Sequence, residues 1–198
     1  MKKTIACLLL LAMPLLSGCE QRLFHFLITI DQTPTFPIDQ TGPFSQTVTI
    51  TEQDVLRALN VPENATITGV DIESLSLRVV VKAGNQARAI NVNGAVIENG
   101  QVKPLFNNKT ETIPLVGVNV PFVGLNALIE DGVASLRNKI NGYVKRIDSS
   151  TFTIRLNGTT VQATERALLD INLKIKATIK YDECLEVPLG EGGEDCNL

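Results

Sequence analysis

Residues 170–181 are DINLKIKATIKY, an alternating run long enough to set the architecture of the whole chain. Ile171, Leu173, Ile175, Ala177, Ile179 and Tyr181 alternate with Asn172, Lys174, Lys176, Thr178 and Lys180. Successive side chains of a strand point to opposite faces, so this period of two predicts a strand with one aliphatic face buried and one polar face wet. Spaced Lys174, Lys176 and Lys180 on that polar face read as charges protecting a sheet edge, or as a weak patch for an acidic partner. Upstream, TFTIRL (151–156) reads as a strand, and Asn157-Gly158 reads as a hairpin turn into TTVQA.

The same pattern recurs further back. In ATITGVDIESLSLRVVVK (65–82) the apolar positions are 70 and 72, then 75, 77, 79 and 81. The parity changes at Glu73-Ser74, which predicts a bulge that bends the strand. AINVNGAVIEN (89–99) continues the strand pattern, with a turn at Gly100-Gln101, and QTVTIT (46–51) is a further short strand. LFHFLITI (23–30) is apolar on both faces and fits a strand covered on both sides or lying close to a membrane. Pro34, Pro37 and Pro43 predict an extended connector over 32–45.

Two helices are expected. Thr51 can cap a short one at about 52–60, with Asp54 in the capping-box position. The second is long, at about 123–147. Leu125, Leu128, Ile129, Val133, Leu136, Ile140, Val144 and Ile147 trace one stripe, while Glu130, Asp131, Arg137, Lys139, Lys145 and Arg146 lie off it. The expected fold is α+β, mainly β: a curved antiparallel sheet or sandwich of about seven strands with the long amphipathic helix packed on it.

The start of the chain carries a different signal. MKKTIACLLLLAMPLLSGC joins Lys2 and Lys3 to an apolar run from Ile5 to Leu16, too short for a permanent span. Leu16-Ser17-Gly18-Cys19 resembles the lipobox of bacterial lipoproteins. The resemblance implies a signal peptide over 1–18, a diacylglycerol on Cys19, and a mature chain held on a membrane by several acyl chains. Glu20 in the next position, being other than Asp, points to the outer membrane if the host is Gram-negative. The resemblance ends at Cys19. The expected organisation is therefore 1–18 signal peptide, 19–45 lipidated N-terminus with first strand and connector, 46–181 a single β-rich domain, and 182–198 an acidic tail.

Loss of Lys2 and Lys3 with the leader takes the formal charge from −3 to −5, which argues against nucleic acid and against adhesion to anionic lipid. Trp is absent and aromatics are 5%, so Val, Ile and Leu must build the core, and few aromatics remain for the platforms on which proteins commonly stack sugars. Cys184 and Cys196 are expected to form a disulfide, in keeping with export.

The catalytic inventory is sparse. His25 is the sole histidine, flanked by Phe24 and Phe26, and reads as a core or interfacial residue. No nucleophile elbow, phosphate loop, dinucleotide fingerprint or zinc-protease motif is present. Asp182, Glu183, Glu186, Glu191, Glu194 and Asp195 lack calcium-loop spacing and read as a solvated terminus, so no metal or cofactor is expected. These features together suggest a non-enzymatic, membrane-anchored binding or structural module of the cell envelope. Its ligand would be an apolar molecule or an envelope protein, with Leu125, Leu128, Ile129, Val133, Leu136 and Ile140 as ligand-facing candidates between helix and sheet. The competing expectation is an envelope hydrolase using a carboxylate pair.

Overall fold

The computed structural model describes residues 19–59, 62, 64–107, 113–115, 121–188 and 194–196. The leader, and the glycines 190, 192 and 193 before Cys196, lie outside them. The opening alternation is the backbone of the molecule: β10 (Arg166–Pro188) is a 23-residue strand with Ile171, Leu173, Ile175, Ala177 and Ile179 buried. Along one side of it runs β4 (Thr66–Val81). Along the other run β1 (Cys19–Gln32) and β2 (Thr35–Thr41), which keep one register from Cys19↔Pro188 to Thr41↔Arg166. They are one strand interrupted at Thr33-Pro34, where the amide of Leu173 still donates to the Pro34 carbonyl at 3.1 Å.

The expected connector is therefore a correction: residues 35–41 and 43–50 are strands. β2 pairs only with β10 among the described residues, so Pro37 sits on an edge, where a missing N–H can face away from the ladder. At Gly42, with φ of 76°, the chain leaves this sheet for the second. That sheet has the order β3 (Pro43–Ile50), β9 (Phe152–Thr160), β5 (Ala89–Glu98), β6 (Gln101–Asn107), with β7 (Ile113–Pro114) on β5. All pairings are antiparallel. The inner faces meet as a sandwich: Phe36, Ile38, Leu75 and Leu77 from the first sheet face a core shared with Ile90, Val92, Ile154 and Leu156 from the second. With β8 (Val123–Gly124) and β11 (Glu194–Asp195), eleven strands among the described residues replace the seven expected.

The bulge falls where the parity predicts it. The β4–β10 register slips between Lys176 and Ala177, leaving Glu73 as the extra residue. The short helix α1 (Glu52–Ala58) also forms as expected: Thr51 Oγ1 accepts from the Asp54 amide at 3.2 Å, and Asp54 Oδ2 accepts from the Thr51 amide at 3.0 Å.

Two expectations fail instructively. Asn157-Gly158 is no turn, because β9 runs straight through it and pairs on both sides. A Cβ on Gly158 would drive into the Phe44 ring and the Asn91 carbonyl, so this glycine serves close approach of strands. The hairpin is instead at Asn99-Gly100, with φ of 50° and 77°, the positive pair a two-residue turn requires.

The long helix is also shorter. α2 spans Glu130–Val144, and the apolar residues before it form extended chain. β8 pairs with β4, and the amide of Leu125 bonds the Leu75 carbonyl. Ile129 then donates to the Leu105 carbonyl at the edge of β6. Residues 123–129 thus cross from one sheet edge to the other, and edge pairing outcompetes helix there. α2 follows and packs on β6 and β4, closing that side of the sandwich.

Candidate functional site

The sequence candidates gather at two places. The first is the ribbon made by the start of β1 and the end of β10, where Cys19 is the first strand residue and pairs with Pro188. Here the acidic terminus is a correction: residues 182–188 continue β10, and β11 pairs with Arg22 and Leu23. The Cys184–Cys196 disulfide is present and ties β11 back to β10. A short apolar staircase, Phe24 beside Phe26 and Phe26 stacked on Tyr181 at 5.2 Å, lies along the ribbon. Leu27 is 72% exposed, so β1 is not covered on both faces.

His25 is not a core residue. Its side chain is 64% exposed, with Nδ1 2.6 Å from Asp182 and Nε2 3.9 Å from Glu194. The hydrogen bond and charge of Asp182 raise its pKa above the ordinary value, and Glu194 adds to this. Protonated His25 therefore joins β1, β10 and β11 through charge. Arg22 likewise ties β1 to β11 through Asp195 at 2.6 Å.

The lysine stripe is corrected too. β10 is a central strand over the stripe, so no sheet edge is being protected. Lys174 pairs with Asp31 at 2.7 Å, Lys176 with Glu73 at 2.5 Å and Lys180 with Asp71 at 2.7 Å. Glu73 also accepts from Thr178, and these donors hold its carboxyl below the usual range. The outer face of the first sheet is thus charged and internally matched.

The second place is under α2, and its chemistry was missed. Lys139 was placed off the apolar stripe, yet it is 2% exposed. Its Nζ lies 2.6 Å from Asp148, 2.5 Å from Ser150 Oγ and 3.7 Å from Glu98. Ser135, one turn earlier and also buried, donates to Glu98 at 2.9 Å. Hydrogen bonds from Lys139 and then Ser150 hold Asp148 down at about 2. Burial, with the nearby Asp148 charge, pushes Tyr143 up to about 12, so its hydroxyl stays a donor to the carbonyls of Ser150 and Ile50. The available signal was the Ser135/Lys139 pair beside Leu136 and Ile140 at helical spacing. Glu98 and Asp148 share the Lys139 ammonium.

The six ligand-facing candidates separate. Leu136 and Ile140 are fully packed and Leu125 is buried, whereas Leu128 is exposed and Ile129 and Val133 are half-buried. Ile129 lines an open surface depression of about 270 Å³ over β5 and β6. Among the described residues no group of three or more His, Cys, Asp or Glu could hold a metal, and no helix is long and apolar enough to cross a membrane.

No protein-family model matches the chain, and no curated protein does. Among solved structures, a decameric BFDV capsid protein has 10% identity and a TM-score of 0.37, covering 80% of this chain and 98% of its own. A 60-mer of BFDV capsid protein has 11% identity and a TM-score of 0.32, covering 85% and 98%. Likeness this weak carries no functional argument.

Proposed function

We propose that this chain is an exported lipoprotein of the cell envelope, anchored on a membrane through Cys19 (the outer membrane if the host is Gram-negative), and that it acts as a non-enzymatic binding or structural module. The observation that carries the reading is Leu16-Ser17-Gly18-Cys19 behind a charged, apolar leader. The ribbon's geometry supports it: with β1 starting at Cys19, a lipid there would hold the Phe24/Phe26/Tyr181 staircase near the bilayer surface, where the ring of Tyr181 is favoured. The oxidised Cys184–Cys196 pair suits an exported protein. The complete burial of Leu136 and Ile140 favours a ligand or envelope partner met on an outer face over an apolar molecule enclosed beneath α2.

Growth of an expressing bacterium with radioactive palmitate tests the anchor. The chain should take up label and partition with membranes, and Cys19→Ser should lose both. Label retained in the serine variant would overturn the anchor.

A further inference from the structure

The outer face of the second sheet differs in kind from the matched charges of the first. Register places Ser45, Asn157, Asn93 and Asn107 in one row across β3, β9, β5 and β6. Asn91 and Thr159 form the neighbouring pair on one side, and Thr47, Arg155 and Ala95 the row on the other. Between them Ile90, Val92, Ile154 and Leu156 are fully buried, so the amides, hydroxyls and Arg155 take the outward positions of the pleat.

Within this face Ser45 Oγ donates to Asn157 Oδ1 at 2.7 Å. Asn91 Oδ1, Asn93 Oδ1 and Arg155 Nε are shielded from solvent and have no hydrogen-bond partner among the described residues. Shielded polar atoms are nearly always satisfied, so a concentration of two acceptors and one donor on neighbouring strands is unusual. Two open depressions, of about 300 and 270 Å³, meet here and share Asn93 and Asn157. Among the described residues neither is lined by a carboxylate, and Arg155 is the single charged one in the pair. Val102 and Pro104 form an apolar wall of the second.

The geometry points to a binding site for an uncharged glycan strand bearing acetamido groups. Side-chain amides both donate and accept, which suits ligand hydroxyls and amides, whereas an apolar ligand would leave Asn91 and Asn93 as unsatisfied as they already are. With a small outward turn of the two side chains, an acetamido N–H would meet Asn93 Oδ1 and its carbonyl the Arg155 Nε–H, while its methyl would lie on Val102 and Pro104. At about 4.8 Å between strands, the four-residue row spans roughly 14 Å, so the site takes a chain rather than one small molecule. An aromatic platform is not required, because hydrogen bonds and this aliphatic wall do the recognition. The inference deepens the envelope-module reading and rests on it.

The test is co-sedimentation of the full-length protein in detergent with insoluble chitin, with cellulose as the hydroxyl-only comparator. Chitin should retain the protein and cellulose should not. Asn93→Thr and Arg155→Gln should each weaken retention about tenfold. Lys180→Gln, on the opposite sheet, should leave it unchanged. Thermal unfolding of each variant checks folding, and if Asn93→Thr fails to fold, Arg155→Lys, which keeps the charge and loses Nε, takes its place. No retention on chitin, equal retention on cellulose, or variants retained like the parent would each overturn the proposal. Retention on chitin together with unchanged palmitate labelling in Cys19→Ser would sink the anchor and leave the glycan site standing.

Discussion

Gly158 and Gly100 each follow an asparagine, and replacing them with alanine should cost stability for different reasons. Gly158→Ala forces a methyl into the Phe44 ring and the Asn91 carbonyl and should lose about 2 kcal/mol or more. Gly100→Ala meets nothing but keeps a positive φ, and should lose about 1 kcal/mol. Urea denaturation of both variants checks the order. The pair also shows where reading a dipeptide stops: Asn-Gly is compatible with a turn and with a crowded strand, and only the partner strand's Phe44 distinguishes them. Lys139 teaches the same lesson, since its burial depends on Asp148, Ser150 and Glu98 arriving from other elements. Asp148, held at about 2 in the folded state against an ordinary value near 4, favours the fold above the unfolded pKa. That contribution disappears as pH falls from about 4 to about 2. The melting temperature should drop across that window, and Asp148→Asn should flatten the drop.

At the scale of elements, periodicity and caps were legible where one chain segment decides them. The Thr51/Asp54 box, the Glu73 bulge and the alternation of β10 need no distant partner to be recognised. The end of α2 was not legible, because Leu125, Leu128 and Ile129 fit a helical stripe as well as the extended path they take. Their amides and carbonyls instead serve the exposed edges of β4 and β6. α2 itself holds through its packed middle. Leu136→Ala should cost about 2–5 kcal/mol by chemical denaturation, as expected for emptying a filled core site. A loss below 1 kcal/mol would mean that the helix is not held there.

For the whole molecule, the class was readable as mainly β with two helices, and the disulfide followed from the cysteine count. The number of strands was not, since proline-bearing edge strands and the β11 clasp look like loop and tail. The ribbon should respond to pH separately from the sandwich. Because the folded-state pKa of His25 is raised, its contribution is complete below its ordinary value of 6.5 and fades as pH rises through the raised value. The protection factors of the Arg22 and Leu23 amides, which are free of the base-catalysed rise in intrinsic exchange, should therefore fall on going from pH 6 to above the raised pKa, and fall further after disulfide reduction. The melting of the β3–β9–β5–β6 sheet should stay unchanged. Protection insensitive to both treatments would show that β11 is held by other means.

The unbroken register of β1 and β2 along β10 also has a mechanical meaning. A tug on Cys19 along the strand axis loads that ladder lengthwise, so its rungs share the force instead of parting one after another. The seam nearest the proposed tether is thus oriented to resist being peeled away.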